Sequence, residues 1–115
     1  MATSEFSRKY FEKIMNEYLE RVRPPVHIRN ELDIGYRIDN QSVELIEIRP
    51  AFRNPEEKME HAIARATYVK KTGIWKVFWM RADLKWHRYE PIPEAADLEG
   101  FLAIVEDDHH GCFYG

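Results

Sequence analysis

The chain has 115 residues, of which 44% are hydrophobic and 32% charged, and its formal net charge is −3. This composition predicts one globular domain, residues 1–115, and excludes wholesale disorder. The single cysteine, Cys112, excludes an internal disulfide, and no apolar run approaches the roughly 18 residues of a membrane span. Because charges are scattered through the first residues without a signal-peptide pattern, we expect a cytoplasmic protein.

An amphipathic helix from Ser4 to Val22 is the first predicted element. Its apolar residues recur in steps of three and four, which places them on one face. Pro24 and Pro25 follow, and the helix is expected to end before them because proline disfavours helical geometry in its predecessor. In the predicted core, residues of this helix pack on residues from the rest of the chain: Phe6, Tyr10, Ile14 and Leu19 on Ile34, Tyr36, Ile46, Val77 and Leu102.

Alternation of apolar and polar residues predicts about five antiparallel strands beyond the prolines. The first two form a hairpin, from Leu32 to Ile38 and from Val43 to Arg49. A short C-terminal helix is predicted around residues 98–105. The predicted fold class is therefore α+β. An N-terminal helix is followed by the hairpin, then by a three-strand meander at Ala64–Val69, Ile74–Met80 and Leu84–Tyr89, and finally by the short C-terminal helix.

The first hairpin admits two registers, which differ by one residue and so place the side chains of one strand on opposite faces. A two-residue turn at Asn40-Gln41 sets Ile34 opposite Glu47. A three-residue turn that begins at Asp39 sets Ile34 opposite Ile46. The second register gives the cleaner apolar face, and it is the one that we predict.

In the predicted register, Asp33, Arg37, Glu47 and Arg49 form a charged cluster on the non-core face. Asp33 with the triplet Glu47-Ile48-Arg49 is similar to the metal-binding motif of restriction-type nucleases, in which Asp precedes Glu-x-Lys on the next strand. Arginine replaces that lysine here and cannot act as a base, because it is almost always protonated. Cross-strand ion pairs are therefore the favoured interpretation. The alternative is a metal-dependent phosphodiesterase or nuclease-like enzyme that uses Asp33 and Glu47 as cation ligands.

The segment from Arg65 to Tyr89, here called the basic segment, has a local charge of +6 and contains all three tryptophans. The rest of the chain sums to −9. Nucleic-acid modules combine aromatic stacking platforms with cations that contact phosphates, and the basic segment has both. The alternative interpretation is that the tryptophans are core residues and the lysines keep the strands soluble. If the basic segment is a binding surface, the candidate residues are Trp79, Arg81, Lys85, Trp86, His87 and Arg88. We then expect Arg81, Lys85 and Arg88 to be largely exposed on a face that neither helix covers, although alternation places Arg88 on the face of Trp86.

The last 26 residues contain seven Asp or Glu and no Lys or Arg. We expect residues 107–115 to form an acidic, histidine-containing tail. As an alternative to an external anionic partner, the acidic C-terminal residues dock on the basic segment and offset its positive charge. His109, His110 and Cys112 are metal-ligand types, but adjacent histidines rarely converge on one ion, and the usual ligand spacings are missing. No metal and no cofactor is predicted.

Seven stretches along the chain form a recognisable pattern: Arg23-Pro24-Pro25, Leu32-Asp33-Ile34-Gly35-Tyr36-Arg37, Glu47-Ile48-Arg49-Pro50, Ala66-Thr67-Tyr68-Val69, Trp75-Lys76-Val77, residues 79–89 and Gly111-Cys112-Phe113. In these stretches the chain resembles a bacterial family known as domain of unknown function 3024. The resemblance implies a small standalone bacterial protein and supplies no catalytic residues. The favoured hypothesis is a non-enzymatic binding or adaptor module for nucleic acid or an acidic protein surface. A homodimer without a ligand is a further possibility.

Overall fold

The structure, a computed structural model, describes residues 5–108, 111 and 113, and their side chains from residue 8 onward. The predicted order of helix, sheet and helix is confirmed. A short 3₁₀ helix, Val26–Ile28, connects the first helix to the sheet. The elements are α1 (Glu5–Val22), β1 (Asp33–Asp39), β2 (Ser42–Pro50), β3 (Lys58–Val69), β4 (Ile74–Met80), β5 (Trp86–Arg88), β6 (Glu94–Ala95) and α2 (Leu98–Asp107).

The described strands form one antiparallel sheet, in which β1 to β5 are neighbours in chain order. The short strands β5 and β6 both pair with β4, on the side away from β3. Helices α1 and α2 pack on one face of this sheet, where the ring of Phe11 in α1 lies 5.0 Å from that of Trp75 in β4. The opposite face is covered by neither helix and is called the helix-free face below. Neither described helix is long and apolar enough to cross a membrane.

The core lies between the two helices and the sheet. Of the predicted core residues, Ile14, Val77 and Leu102 belong to the buried cluster, while Leu19 and Tyr36 are partly buried against it. The largest fully buried side chains come from both helices, two strands and the residue that follows β5: Met15, Tyr18, Val43, Leu45, Val77, Tyr89, Leu98, Phe101 and Val105.

Three of the predicted core positions differ in the structure. Tyr10 is 53% exposed, because α1 turns Phe11, and not Tyr10, towards the sheet. Ile46 is buried, but alternation along β2 places it on the helix-free face. Ile34 is only partly buried. The side chain of Phe6 lies outside the described part of the chain.

The predicted three-residue turn of the first hairpin is wrong. Asp39 pairs with Ser42 and Ile34 with Glu47, so the turn consists of Asn40 and Gln41 alone. Asn40 has a φ of 54°, a left-handed conformation that two-residue hairpin turns require and asparagine tolerates.

Packing on both faces of β2 explains this register. Val43 and Leu45 are fully buried under the helices. Ile46 and Ile48 point to the helix-free face, where a Cβ built on Gly35 of β1 would lie 3.5 Å from each of them. Gly35 therefore lies directly beside these two isoleucines, at a distance where a Cβ would make ordinary van der Waals contact with both. The sequence prediction assumed that only one face of the hairpin is apolar, and β2 has apolar residues on both.

Strand β3 begins at Lys58, earlier than predicted, and contains a bulge. Leu45 pairs with Ala64 but Ile46 pairs with Ala62, so Ile63 is the extra residue in β3. The loop before β3 is a hydrogen-bonded turn, in which the Asn54 carbonyl accepts from the N–H of Glu57 at 3.0 Å.

Helix α2 begins and ends with aspartates. The Asp97 side chain accepts from the Gly100 N–H at 2.7 Å, and Asp108 ends the helix with a φ of 40°. Phe113 is 6% exposed, and its ring lies 4.8 Å from that of Tyr89. Phe113 belongs to the predicted tail of residues 107–115, but here the chain packs into the core and is not solvated. The predicted acidic tail otherwise remains a prediction, and His109, His110 and Cys112 lie outside the described residues.

Candidate binding site on the β4–β5 hairpin

The turn between β4 and β5 holds two cations opposite each other. The Leu84 N–H donates to the Arg81 carbonyl at 2.8 Å, and the Arg81 N–H donates to the Lys85 carbonyl at 3.3 Å. Leu84 has a φ of 61°. This is the left-handed conformation that a three-residue hairpin loop requires at its last residue. The side chains of Arg81 and Lys85 are both exposed. Their charges are therefore close together at the tip of the hairpin.

The strand register divides the six candidate residues between the two faces of the sheet. Trp79 pairs with His87, and alternation places Arg81 and Lys85 on the same, helix-bearing face. Trp86 pairs with Met80 on the helix-free face, and the predicted placement of Arg88 on the Trp86 side is confirmed. The expectation that Arg81 and Lys85 lie on a face without helices is wrong, although both side chains are exposed at the hairpin tip.

A pocket of about 380 Å³ adjoins the hairpin on the Trp79 side. The Arg81 guanidinium lies 5.4 Å from the centroid of the Trp79 ring, a cation–π distance. The Trp79 ring is partly buried against the core, which holds it in place. The pocket therefore presents one cation next to one fixed aromatic ring. The pocket is lined by Trp79, Arg81, His87, Arg88, Tyr89, Glu90 and Pro91.

Asp83, in the same turn, is committed to other partners. Its carboxylate lies 2.8 Å from Nε2 of His87 and accepts from the Lys85 N–H at 3.0 Å. These hydrogen bonds, that of His87 first, lower the pKa of the Asp83 carboxyl, and the charge of Arg81 adds a smaller effect. Among the described residues, no ion pair joins Arg81 or Lys85 to a carboxylate. We call Trp79, Arg81, Lys85 and His87 the hairpin site.

Two arginines of the helix-free face, Arg37 and Arg65, are paired with carboxylates, unlike the cations of the hairpin site. Arg65 donates to Glu44 at 3.0 Å and lies 6.0 Å from the centroid of the Trp86 ring. Arg37 lies 3.4 Å from both Glu44 and Glu60. Trp86 therefore lies on a face where two glutamates offset two arginines.

Arg88 is held away from the hairpin site although it borders the pocket. Its guanidinium lies 5.7 Å from the centroid of the Phe78 ring on the helix-free face, and Nη2 donates to the Pro93 carbonyl at 3.0 Å. Its buried Nε has no hydrogen-bond partner among the described residues. These contacts hold the partly buried Arg88 at the sheet edge, where it borders the pocket, whereas Trp86 lies apart from the other candidates on the helix-free face.

The charged cluster predicted around the first hairpin does not assemble. Asp33 lies opposite Ile48, whereas Glu47 lies opposite Ile34, so the two carboxylates point to opposite faces and cannot share a cation. Both carboxylates are ion-paired to arginines, as predicted, but neither pair is cross-strand: Glu47 lies 3.0 Å from Arg49 of its own strand. The partner of Asp33, however, is Arg23, with contacts of 2.7 and 2.8 Å. Over the part of the chain that the structure describes, no three His, Cys, Asp or Glu side chains converge on a metal position.

Comparison with protein-family models identifies the family of this chain. The model of the family described as domain of unknown function (DUF3024) matches residues 3–115. The chain belongs to the DUF3024 family. No curated protein and no solved structure matches it. Because the family description names no activity, it assigns no catalytic residue to this chain.

Four residues that complete the hairpin site of this DUF3024 chain were not identified from the sequence. Tyr89, Glu90 and Pro91 line the pocket, and Asp83 binds His87. The sequence contains a signal for Asp83, since an aspartate at a tight turn commonly accepts a backbone N–H two residues on. The role of Tyr89 carries no such signal, because its burial depends on Phe113 from the far end of the chain.

Proposed function

We propose that this DUF3024 chain is a non-enzymatic binding or adaptor module, whose hairpin site binds an anionic partner that also carries planar groups. Single-stranded nucleic acid is the partner that combines these properties most directly. The observation that supports the proposal is the pair of exposed cations, Arg81 and Lys85, held together beside the Trp79 pocket without a carboxylate partner among the described residues.

The two cations have complementary chemistry for phosphate. Arg81 presents a planar fork of donors, and Lys85 presents a mobile point charge. Both are fixed by backbone hydrogen bonds of one turn, so little backbone ordering is required on binding. A base that enters the pocket would meet Trp79, whose partly buried ring is already held by the core.

The helix-free face supports this function less well than the hairpin site. Arg65 and Arg37 are engaged by Glu44 and Glu60, and a polyanion would have to displace those carboxylates. An acidic protein surface, which offers carboxylates without bases, is the competing partner for the hairpin site, and it differs from nucleic acid in not using the Trp79 pocket.

The test is a fluorescence-anisotropy titration of single-stranded and duplex oligonucleotides at several salt concentrations. We expect single strands to bind with a strong salt dependence, because bound phosphates release counterions. The double substitution Arg81→Ser with Lys85→Ser should weaken binding about tenfold or more and reduce the salt slope by about 1–2, with little change in Tm.

The matched control is Lys13→Ser with Arg53→Ser, which removes one lysine and one arginine at exposed positions of α1 and the β2–β3 loop. It should leave both affinity and salt slope near those of the wild type. Equal effects of the two double variants would mean that net charge and not the hairpin site governs binding. A large loss of Tm in the Arg81, Lys85 variant with no change in binding would assign these residues to stability and contradict the proposal.

A further inference from the structure

A second pocket, of about 230 Å³, lies at the other end of β4, between α1 and the start of α2. Its most exposed aromatic residue is Tyr10, which the helical pattern predicts as core and which is 53% exposed. We call it the aromatic pocket. Its lining comes from both helices, two strands and the β3–β4 turn: Tyr10, Phe11, Tyr68, Gly73, Trp75, Ala96, Asp97, Leu98 and Glu99.

Four aromatic rings form a continuous inclined surface in this pocket. The Phe11 and Trp75 rings are 5.0 Å apart at 74°, and those of Tyr68 and Trp75 are 5.2 Å apart at 49°. The rings of Tyr10 and Phe11 are 6.3 Å apart at 58°. Each ring is tilted to its neighbour, so the ring planes of the pocket lining have different orientations. Trp75 and Phe11 are nearly buried and form the floor, while the exposed Tyr10 and the half-buried Tyr68 form the walls.

The charge of the aromatic pocket is opposite to that of the hairpin site. Its lining contains two carboxylates, Asp97 and Glu99, and no lysine or arginine. Oδ1 of Asp97 accepts from the Gly100 N–H at 2.7 Å, so this carboxylate is fixed at the rim. Glu99 is exposed. Within the described residues, no salt bridge joins either carboxylate to a cation.

We propose that the aromatic pocket binds an alkylated ammonium group, such as that of a trimethylated lysine side chain or of choline. Ring faces carry negative quadrupole potential, and a cation placed against several of them is attracted by each. An alkylated ammonium has a diffuse charge, an apolar surface and weak hydration, which suits a pocket made mainly of rings. An unmodified lysine needs hydrogen-bond acceptors for its three N–H groups, and the rings that form most of the pocket do not supply them. The charged acceptors of the lining are the two exposed carboxylates, Asp97 and Glu99, and Asp97 already accepts from the Gly100 N–H.

The test is an NMR titration of the ¹⁵N-labelled chain that follows the indole N–H of Trp75 at constant ionic strength. Four probes separate charge, shape and source: a trimethyllysine peptide, the same peptide unmodified, choline, and 3,3-dimethylbutan-1-ol, the neutral isostere of choline. Both ammonium probes should shift the Trp75 resonance and saturate. The unmodified peptide and the neutral alcohol should bind about tenfold more weakly or not at all. The tighter of the two ammonium probes identifies the source of the group.

Variants separate a cation–π site from a merely apolar one. Tyr10→Leu removes a ring at an exposed position and should weaken ammonium binding about tenfold, whereas Tyr10→Phe keeps the ring and should stay within about twofold of the wild type. Glu99→Gln should weaken binding about threefold, and Glu20→Gln, an exposed carboxylate elsewhere on α1, should have no effect. Equal binding of the neutral alcohol, indifference to Tyr10→Leu, or no Trp75 shift at about 10 mM of either ammonium probe would overturn the proposal.

Discussion

Asp83 determines whether Arg81 and Lys85 are available to a partner. It lies between them in the turn, yet its carboxylate is bound to His87 and to the Lys85 N–H. Arg65 carries the same charge in the same basic segment and is neutralised by Glu44 from a different strand. The sequence predicts the number of charges in the segment. It does not predict which charges are paired, because the partners come from strands whose register was not known.

Asp33 gives the clearest pH-dependent contribution among single residues. Its hydrogen bonds with Arg23, helped by the Ile34 N–H, lower the pKa of its carboxyl. A carboxyl whose pKa is lower in the folded state stabilises the fold above its unfolded pKa of about 3.9. That stability is lost as the pH falls through the lower, folded pKa. Thermal unfolding between about pH 6 and pH 2 should therefore show a smaller acid-side loss of Tm in Asp33→Asn than in the wild type.

The control for this pH profile is Asp39→Asn, at the exposed end of the same strand. It should leave the acid-side slope of Tm close to that of the wild type. If Asp33→Asn and the wild type lost Tm in parallel over the whole range, the ion pair with Arg23 would contribute nothing to acid stability.

Strand β1 is the exposed edge of the sheet, and two side chains cover part of it. The Asp33 carboxylate accepts from the N–H of Ile34 at 2.8 Å, and Arg8 of α1 donates to the Ile38 carbonyl at 3.3 Å. With a two-residue turn closing the hairpin, the even-numbered residues of β1 point their backbone groups outwards. Partly occupied edges resist edge-to-edge pairing with a second copy. The homodimer considered from the sequence would form through the uncovered sheet face and not through this edge.

Element types were predictable from the sequence, whereas the hairpin register was not. The helix predicted over Ser4–Val22 has a strong single period, and the structure contains it over Glu5–Val22. The strand predicted at Ile74–Met80 is also present. Strand β2 has apolar residues at both alternating sets of positions, so periodicity gives two answers. The choice between them depends on Gly35 and on β3, which lie outside the pattern of β2 itself.

The packing of Ile46 over Gly35 makes a prediction for the hairpin. Ile46→Ala should lower the free energy of unfolding by roughly 2–4 kcal/mol, because Ile46 is only 5% exposed and its loss leaves a cavity. Val77→Ala, in the core on the other face, should cost a similar amount. Gly35→Ala should raise stability by roughly 0.5 kcal/mol, since the new Cβ meets Ile46 at an ordinary 3.5 Å and the unfolded chain loses freedom.

Urea unfolding measures all three variants, with Ile92→Ala as the control at a 44% exposed position. The control should change stability by less than about 0.5 kcal/mol. A cost below that value for Ile46→Ala, or a loss of more than about 1 kcal/mol for Gly35→Ala, would show that the helix-free face is not packed as described.

Across the whole molecule, the three tryptophans occupy three different environments. Trp75 forms the floor of the acidic aromatic pocket, Trp79 lines the basic hairpin pocket, and Trp86 lies on the helix-free face beside Arg65. Trp75 and Trp79 share one face of β4 and are four residues apart, which corresponds to about 13 Å along a strand. One run of sequence that looks uniformly basic and aromatic therefore supplies two pockets of opposite charge.

The two proposed sites should act independently, because sites separated by more than about 7–10 Å without shared partners usually show additive effects. Tyr10→Leu should therefore leave oligonucleotide affinity and its salt slope unchanged. The double substitution Arg81→Ser with Lys85→Ser should leave the dissociation constant for the trimethyllysine peptide within about twofold. Measuring both ligands on both variants gives the comparison. A variant of one site that weakened both ligands by more than about threefold would mean that β4 transmits a change between the pockets, and that the chain has one coupled binding surface in place of two.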